Sequence, residues 1–323
     1  MTEAETPKVT VLMSLYNEER SVGYAMQSIL AQTYTDFEFL IIDDGSTDGS
    51  KTVVDSFDDS RIRLVSRPNK GLTPSLNEGI ELARGAYIAR QDADDVSMPT
   101  RLEREVAVLD RRPDIGLVGT NYTIVDEEGA HLTTTSVFTH PDDLAVAEIV
   151  SNQFGHGSVM MRKALVRELG GYDPGAGDIV GDYDLWLRIG RVAKIANIEE
   201  PLYQWRRSGG SLSMADRQLA IDQTFALRDR EFPRLLVKGS AFRIVRSFHP
   251  AGFYPSRREY FRKKATLFRS LAYLYRREGR PWTAIAMQAA AVLYEPKERR
   301  NLLYLVMVIR DRTRRQLWDF EFV

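Results

Sequence analysis

The chain has 323 residues, enough for one large α/β domain with an extension or for two domains. Its apolar content of 43% and charged content of 28% are ordinary for a globular protein, and the absence of cysteine excludes disulfides and thiolate metal sites. The net charge of −1 hides an asymmetry: residues 1–214 hold 21 Lys/Arg and 34 Asp/Glu, whereas residues 215–323 hold 23 and 11. An acidic front and a basic back indicate two parts with different tasks.

The sequence predicts a cytoplasmic location. The N-terminal residues are polar and acidic, which is untypical of a signal peptide. The longest uncharged apolar stretches, Pro281–Tyr294 and Leu302–Ile309, are shorter than the ~20 residues that a membrane span needs.

The first elements predict a β-α-β unit. Lys8–Leu15 is rich in apolar and β-branched residues, and Ser21–Gln32 places its apolar residues on one helical face. Phe39–Ile42 is a short apolar run that ends in turn residues, as buried parallel strands do. Two strands joined by a helix require a parallel pair.

The alternation continues, and it favours a doubly wound sheet. The next predicted elements are a helix over Asp48–Phe57 capped by Ser46, Thr47 or Asp48, a strand Ile62–Val65, a helix Leu72–Ala83, a strand Ala86–Ala89 and a helix from Pro99 to Arg111.

From residue 116 the pattern predicts mixed strands, and beyond Leu212 it predicts only helices. The predicted strands are Gly116–Tyr122, His131–Val137, Gly157–Met161, Lys194–Ile198 and Leu202–Arg206. The predicted helices are Pro141–Val150, Leu165–Leu169, Gly181–Gly190, Ala215–Phe232, Arg257–Glu278, Trp282–Leu293 and Lys297–Arg314.

Carboxylates follow two of the predicted strands. Asp43 and Asp44 end one strand, and Asp92, Asp94 and Asp95 follow another. Parallel strands bring such ends to one edge of the sheet, where open α/β sheets bind ligands. Converging carboxylates repel unless a cation offsets them, and Mg²⁺ arrives with substrate phosphates. The alternatives are an ordinary Asp-Gly-Ser turn and a solvated acidic loop.

A third acidic pair, Asp182 and Asp184, opens the predicted helix Gly181–Gly190. Asp182 could be the helix N-cap or a catalytic group, and the residues alone leave both interpretations open. The sequence has no dinucleotide-binding or P-loop glycine motif, and its four histidines have no zinc-ligand spacing.

Five sequence blocks, in order, resemble the family 2 glycosyltransferases, the inverting nucleotide-sugar enzymes of the GT-A fold. The resemblance covers about Val9 to Ser213. The blocks are V-T-V-L-M-S-L-Y-N-E with L-I-I-D-D-G-S-T-D, then N-K-G-L-T-P-S-L-N-E-G-I, R-Q-D-A-D-D, H-G-S-V-M-M-R with G-G-Y-D-P, and G-D-Y-D-L-W-L-R. The resemblance implies a GT-A-type doubly wound mixed sheet flanked by helices, over residues 1–214.

The resemblance also implies roles for single residues. Ser14, Tyr16 and Asp44 would hold the nucleotide base, usually uracil, while Asp43 would support the strand end and its turn. Asp92 and Asp94 would form the D-x-D pair, with Asp94 on Mg²⁺ or Mn²⁺ and Asp92 on the ribose or the metal. Asp182 would be the general base that activates an acceptor hydroxyl. The implied reaction transfers a sugar from a nucleoside diphosphate donor, with UDP-sugars expected, to a glycan or lipid-linked acceptor with inversion.

Three residues depart from the family pattern. Gly181 stands where many members have Glu, Leu76 where many have Arg, and Ser208 where many have His. A diphosphate or metal contact is therefore in doubt, and Arg206 or Arg207 could replace it. His156 could face the acceptor or be a buried structural histidine. The departures also leave open a non-catalytic nucleotide-binding or membrane-docking subunit of a glycan assembly complex.

The tail, residues 215–323, predicts a basic all-helical extension. Pairs of basic residues recur along it, as in Lys263-Lys264 and Arg276-Arg277. Basic helices with aromatic residues fit a peripheral contact with an anionic membrane surface or with the acceptor. The alternative is a solvated basic face. Nucleic acid is not an expected partner, because no recognised module is present.

Overall fold

The computed structural model describes residues 6–207, 217–231, 233, 257–277 and 281–294. Within these residues, nine strands form one sheet. The strands are β1 (Val9–Leu15), β2 (Phe37–Asp43), β3 (Ile62–Ser66), β4 (Tyr87–Asp92), β5 (Val96–Ser97), β6 (Ile115–Val125), β7 (His131–Thr134), β8 (Val159–Arg162) and β9 (Lys194–Arg206).

Helices follow most of the strands, as the alternation predicts. They are α1 (Val22–Leu30), α2 (Ser50–Asp55), α3 (Leu72–Leu82), α4 (Arg101–Arg111), α5 (Pro141–Val150), α6 (Lys163–Glu168), α7 (Gly181–Val192), α8 (Arg217–Glu231), α9 (Arg257–Arg277) and α10 (Pro281–Tyr294). The helix predicted over Lys297–Arg314 lies outside the described residues.

The sheet is mixed, as the resemblance implies. Its order is β3-β2-β1-β4-β8-β6-β9-β5, with β7 paired to the end of β6. The strands β3, β2, β1 and β4 are parallel, whereas β8 runs antiparallel between β4 and β6. Because the chain moves outward in one direction from β1 to β3 and returns to the other side with β4, the switch point lies between β1 and β4. Ligands bind at such points in open α/β sheets.

The first two strands are buried on both faces, which explains their continuous apolar runs. On one face, α1, α2 and α4 pack against alternate residues of β1 and β2 to form the main core. On the other face, α3 lies so close to β1 that a Cβ on Gly79 would overlap the Leu12 side chain.

One predicted helix N-cap is wrong, and one of the two interpretations left open for Asp182 is excluded. The helix predicted from Asp48 begins at Ser50 after Gly49, and no side chain caps it; Asp48 instead accepts the Ser50 N–H at 3.0 Å. The N-cap of α7 is Val180, which places Asp182 inside the first turn. The Asp182 carboxylate therefore does not serve as the helix N-cap.

Some strands are longer than predicted. The fourth strand continues to Asp92, and the two strands predicted over Lys194–Ile198 and Leu202–Arg206 are one strand, β9. A continuous β9 carries Tyr203 and Arg206 to the carboxyl end of β4, where β9 also pairs with β5. Residues that are distant from β4 in the sequence therefore lie beside its carboxyl end.

The chain divides into two compact units, Met1–Glu148 with Asn152–Leu227, and Ile149–Ser151 with Arg228–Val323. The domain boundary predicted at residue 214 lies outside the described residues and stays a prediction. In the second unit, Lys263 and Lys264 are buried, so this basic pair does not belong to an exposed basic face as the sequence suggested. None of the described helices combines the length and the apolar character that crossing a membrane requires.

Candidate active site

The carboxyl ends of β1, β2 and β4 lie side by side. Ser14 in β1 stands opposite Ile42 in β2 and opposite Asp92 in β4. The chain then leaves β2 through Asp44, whose N–H donates to the Leu15 carbonyl at 2.8 Å. The prediction that the two acidic runs share one edge of the sheet is therefore confirmed.

The two adjacent aspartates at the end of β2 have different contacts. Asp43 accepts the Ser46 N–H at 3.0 Å and so closes the turn, as predicted. Asp44 is buried, pairs with Arg67, and accepts the N–H groups of Lys70 (2.8 Å) and Gly71 (2.9 Å). A carboxylate has about four acceptor positions, so Asp44 retains one.

The turn after β2 fits tightly against the loop before α3. Gly45 has φ +76°, and a Cβ there would lie 2.7 Å from the Asn69 nitrogen. Across the edge, Asn17 adopts φ 55° and its side chain accepts the Thr47 N–H at 2.8 Å. Asparagine tolerates this left-handed conformation better than most residues. Asn17 thus joins the two loops, a role that sequence analysis missed.

Ser14 and Tyr16 complete the end of β1. Ser14 is half-buried, and the Tyr16 ring is 48% exposed just beyond the strand. An exposed aromatic ring beside a buried carboxylate can stack on a planar base while Asp44 accepts from its ring N–H.

The last residues of β4 form a charged network. Arg90 is fully buried and pairs with Asp92, while it also donates to the Leu12 carbonyl at 3.0 Å. Burial is the largest single influence and would raise the pKa of Asp92, but the charge and hydrogen bond of Arg90, together with His156 and Arg101, outweigh it and the pKa is lowered. Asp92 is therefore ionised at neutral pH.

Asp94 has the opposite electrostatic character. Burial, together with the charges of Asp92 and Glu18, raises its pKa to about 7. In the part of the chain that the structure describes, no other residue donates a hydrogen bond to its carboxylate. Asp95, in contrast, accepts the Arg206 N–H at 2.7 Å and the Tyr203 hydroxyl, so it holds β9 to this loop.

The chemistry of Asp92 and Asp94 fits a hard divalent cation. Among the described residues, only its own backbone N–H donates to the carboxylate of Asp94, and a cation between Asp94 and Asp92 would relieve their repulsion. The described residues contain no group of three or more acidic or histidine side chains arranged to hold a metal. A cation here would therefore need oxygen ligands from a substrate as well, which is the usual way that Mg²⁺ binds.

A cavity of about 260 Å³ extends from this edge toward α7. Asp92, Asp182 and Trp205 are among the residues that line it. Asp182 accepts the Tyr183 N–H at 2.7 Å and the Asn152 amide at 3.3 Å. Burial raises the pKa of Asp182 to about 6, which leaves it mostly ionised at neutral pH and able to accept a proton.

The neighbouring Asp184 is structural. It is buried and accepts from the Arg188 Nε at 2.6 Å, while the Arg188 guanidinium also donates to the Leu169 carbonyl at 2.9 Å. Of the acidic pair in the first turn of α7, only Asp182 lines the cavity.

His156 is held in a network beneath the cavity. Its Nε2 accepts from Arg90 Nε at 3.2 Å and lies 2.9 Å from the Tyr172 hydroxyl. Burial and the Arg90 charge lower its pKa to about 3, so the ring is neutral. These contacts favour the structural interpretation, although His156 also lines the cavity and an acceptor contact stays a prediction.

Arg206 and Arg207 differ in availability. Arg206 donates through Nε to the Asp94 carbonyl at 3.2 Å and through its guanidinium to the Glu127 carbonyl at 2.6 Å. It therefore stabilises the acidic loop. Arg207 is exposed, and within the described range only its backbone N–H has a hydrogen bond, to the Val125 carbonyl at 2.8 Å. Ser208 lies outside the described residues.

The two other departures from the family pattern, Leu76 and Gly181, lie in described parts of the structure. Leu76 is 1% exposed and belongs to the core, so no basic group stands at that position to meet a phosphate. At Gly181 a Cβ would lie 3.9 Å from Thr73 Oγ1 and 4.0 Å from Tyr172 Cδ1, which are ordinary contacts. Space therefore does not explain the glycine.

Gly157 is required by packing. A Cβ at this position would overlap the Tyr203 hydroxyl and lie 2.7 Å from Asp92 Oδ2. The Tyr203 hydroxyl accepts the Asp92 N–H at 3.2 Å. Sequence analysis missed Tyr203, because nothing in a single strand pattern shows which distant strand end its side chain will meet.

A mixed sheet with carboxylates gathered at the ends of β2 and β4 is the arrangement that the resemblance to the GT-A glycosyltransferases implies. The model of the Glycosyl transferase family 2 matches residues 10–169. The chain is 34% identical over 255 residues to EpsE of Bacillus subtilis (strain 168), a protein named as a glycosyltransferase; the match covers 76% of this chain and 91% of EpsE. The chain belongs to glycosyl transferase family 2 and is a glycosyltransferase.

Solved structures share the fold. S. aureus TarS 1-349 in complex with UDP-GlcNAc aligns with a TM-score of 0.58 and 15% identity, covering 98% of this chain and 94% of that one. The mannosyltransferase PcManGT from Pyrobaculum calidifontis, in complex with GDP-Man and Mn²⁺, aligns with a TM-score of 0.53 and 21% identity, covering 98% and 89%. These likenesses confirm the predicted fold class.

Proposed function

We propose that this glycosyltransferase moves a sugar from a nucleoside diphosphate donor, preferably a UDP-sugar, to a hydroxyl of a glycan or lipid-linked acceptor, with inversion. The observation that carries the proposal is that Asp92, at the strand edge, and Asp182, on α7, line the same cavity. A donor anchored on the strand ends would place its sugar in that cavity. Asp182 would then receive the proton of an acceptor hydroxyl.

Donor binding is assigned to the ends of three strands. Tyr16 stacks on the base, and Ser14 and the remaining acceptor position of Asp44 meet its polar edge. Asp92, ionised beside Arg90, accepts from the ribose. The complexes of TarS with UDP-GlcNAc and of PcManGT with GDP-Man support a nucleotide-sugar as the ligand. Arg207, exposed at the end of β9, is the candidate for a diphosphate contact.

Asp94, together with Asp92, would hold a divalent cation, Mg²⁺ or Mn²⁺. When bound, the cation stabilises the negative charge that develops on the leaving diphosphate. The Mn²⁺ in the PcManGT complex supports this assignment. The chain itself contributes the carboxylates and the Arg206 contact that fixes their loop.

The proton transfer is assigned to Asp182. Fixed donors occupy both of its oxygens and orient the carboxylate. A base with a pKa of about 6 is ionised at neutral pH and can still take a proton from the attacking hydroxyl. A single base and attack from the face opposite the leaving group produce inversion.

The proposal predicts which ligands stabilise the protein. With Mn²⁺, UDP-sugars at about 100 times their Kd should raise the melting temperature by about 5 °C. The measurement is a thermal-shift screen that includes GDP-sugars and, as controls, ATP and free sugars.

Slow release of the nucleotide without acceptor should accompany donor binding, because water can replace the acceptor hydroxyl. A screen in which no nucleoside diphosphate sugar shifts the melting temperature contradicts the proposal; binding without hydrolysis or transfer favours the non-catalytic alternative.

We further propose residues 1–214 as the transferase domain and residues 215–323 as a region for acceptor or anionic membrane contact, which would make the protein peripheral to the inner face of the cell membrane. The net charge of the tail supports this, although Lys263 and Lys264 are buried and cannot contribute.

The membrane proposal predicts that the full chain sediments with anionic phosphatidylglycerol vesicles and not with neutral phosphatidylcholine vesicles. Binding should weaken as salt screens the surface charge. Arg262 lies at an exposed position of α9. Arg262→Glu changes the charge there by two units, and because each unit contributes at most ~1 kcal/mol to membrane binding, vesicle binding should fall by about tenfold. Equal sedimentation with both vesicle types contradicts the proposal.

A further inference from the structure

A tight turn next to the cavity has a fixed orientation. Asn152 Oδ1 accepts the Phe154 N–H at 3.0 Å, and the Gln153 N–H donates to Glu148 Oε2 at 2.8 Å. An asparagine oxygen that accepts from the backbone two residues on forms an Asx turn. The turn therefore settles which end of the amide is oxygen and which is nitrogen.

Because Oδ1 faces the backbone, the amide nitrogen faces α7. Asn152 Nδ2 donates to Asp182 Oδ2 at 3.3 Å. The Tyr183 N–H donates to Oδ1 of the same carboxylate at 2.7 Å. One donor on each oxygen fixes the plane of the carboxylate, and the remaining acceptor positions are left for a ligand in the cavity.

The Asn152 turn and the Tyr183 side chain both contact Glu148. Glu148 accepts the Gln153 N–H through its carboxyl group, and its backbone carbonyl accepts the Tyr183 hydroxyl at 2.7 Å. Glu148 is buried, its Oε1 has no hydrogen-bond partner among the described residues, and burial raises its pKa well above the usual range. Glu148 thus holds the Asn152 turn and α7 in register through one side-chain contact and one backbone contact.

The electrostatic surroundings of Asp182 explain why a donor matters. Burial is the main influence that raises its pKa, and the charge of Asp92 adds to it. The Tyr183 N–H, the Asn152 amide and the Arg90 charge oppose this rise. Charged or titratable groups around it include Asp92, Arg90, Glu148, Tyr122 and Tyr172, and the same cavity is lined by Asp95, His156, Tyr183 and Tyr203.

We infer that Asn152 is a positioning residue for sugar transfer: its amide aims the Asp182 carboxylate at the acceptor hydroxyl and keeps it in the form that accepts a proton. This inference rests on the proposed role of Asp182 as the base. Asn152 acts through Asp182 and is not itself assigned a contact with the substrate.

Two substitutions separate the amide donor from the turn. Asn152→Ser and Asn152→Asp both keep an oxygen that can accept the Phe154 N–H, and neither can donate to Asp182 as the amide does. The serine is neutral, whereas the aspartate adds a charge. In Asn152→Ser, kcat should fall about tenfold and the acid limb of kcat against pH should move up by about one unit, since a hydrogen bond to a charged group is lost.

The second substitution should move the acid limb further. In Asn152→Asp, two carboxyl groups would face each other, so activity at neutral pH should fall more and should recover at higher pH. The donor KM and the melting temperature should stay near their wild-type values in both variants. Asn152→Gln keeps the amide but lacks the Asx-turn geometry, and we expect it to retain only part of the wild-type activity.

The activities of the Asn152 variants must be compared with that of Asp182→Asn, because the comparison separates failure of this inference from failure of the proposed function. An Asn152→Ser variant with the wild-type acid limb and kcat overturns this inference, as does a loss of activity explained by a lower melting temperature alone. If Asp182→Asn is inactive in the same assay, the proposed function stands while the inference fails. If Asp182→Asn is fully active, the proposed function fails, whatever the Asn152 variants show.

Discussion

Replacing Asp182 with asparagine is expected to lower the rate of sugar transfer by about 10³-fold while leaving donor binding within about twofold. The amide has nearly the size of the carboxylate but cannot accept the proton of the attacking hydroxyl. The donor is assigned to the ends of β1, β2 and β4, and none of those contacts involves Asp182. The measurement compares kcat at saturating donor and acceptor with the thermal shift produced by the donor.

The same residue predicts a pH dependence. The base must be ionised, so activity is present above the pKa of Asp182 and is lost as the pH falls through it. Because burial raises that pKa to about 6, kcat should fall about tenfold for each pH unit below 6. An ordinary carboxylate would lose activity only near pH 4.

The control for Asp182→Asn is Glu168→Gln, an exposed carboxylate on α6, which should leave kcat and its pH profile unchanged. A variant at Asp182 that keeps more than about a tenth of the wild-type kcat is incompatible with a general base, whose removal costs at least ~10²-fold. Melting temperatures should be compared first, because the Asn152 and Tyr183 contacts change with the amide.

The sequence predicted the edge of the sheet well because its signals are local. Strands buried on both faces read as apolar runs, and parallel strands joined by helices place their carboxyl ends together. The position of Asp44 and Asp92 on one edge follows from those two facts alone. The separation of Asp43 from Asp44 was also predictable, since Asp-Gly-Ser is a turn sequence.

The side chains that support the site could not be predicted, because their partners are distant in sequence. Tyr203 meets Asp92 across 111 residues, and Asn152 meets Asp182 across 30. Such pairs depend on the order of the strands and on where β8 inserts between β4 and β6. No periodic pattern carries that information.

The buried network around Arg90 is a further example. A sequence shows Arg90 only as a basic residue beside an acidic run, yet in the fold it joins Asp92 to His156. The His156 Nε2 must accept, because a guanidinium only donates, and the ring stays neutral. His156, a candidate for an acceptor contact, thereby also holds Arg90, the partner of Asp92.

Replacing Asp94 is expected to have the second large effect, a weakening of donor binding. Its carboxylate is the one acidic group of the strand-end cluster to which no other described residue donates a hydrogen bond, and it faces the charge of Asp92. These conditions favour a cation, and a cation shared with the diphosphate couples metal binding to donor binding. Without Asp94, a cation at this position would have too few protein ligands among the described residues.

Asp94→Ala is therefore expected to raise the Kd for a nucleoside diphosphate sugar in Mn²⁺ by about 100-fold, a loss of ~2.7 kcal/mol. The difference between donor binding with Mn²⁺ and with EDTA should disappear in the variant. Calorimetric titration measures both, and Asp94→Asn, which keeps the size of the side chain, separates charge from packing. The plain nucleoside is the matched control, since the contacts proposed for its base and ribose do not involve Asp94, and it should bind the variant as it binds the wild type. A donor affinity that depends on neither Mn²⁺ nor Asp94 would show that the diphosphate is held by the chain alone, with Arg207 as the next residue to change.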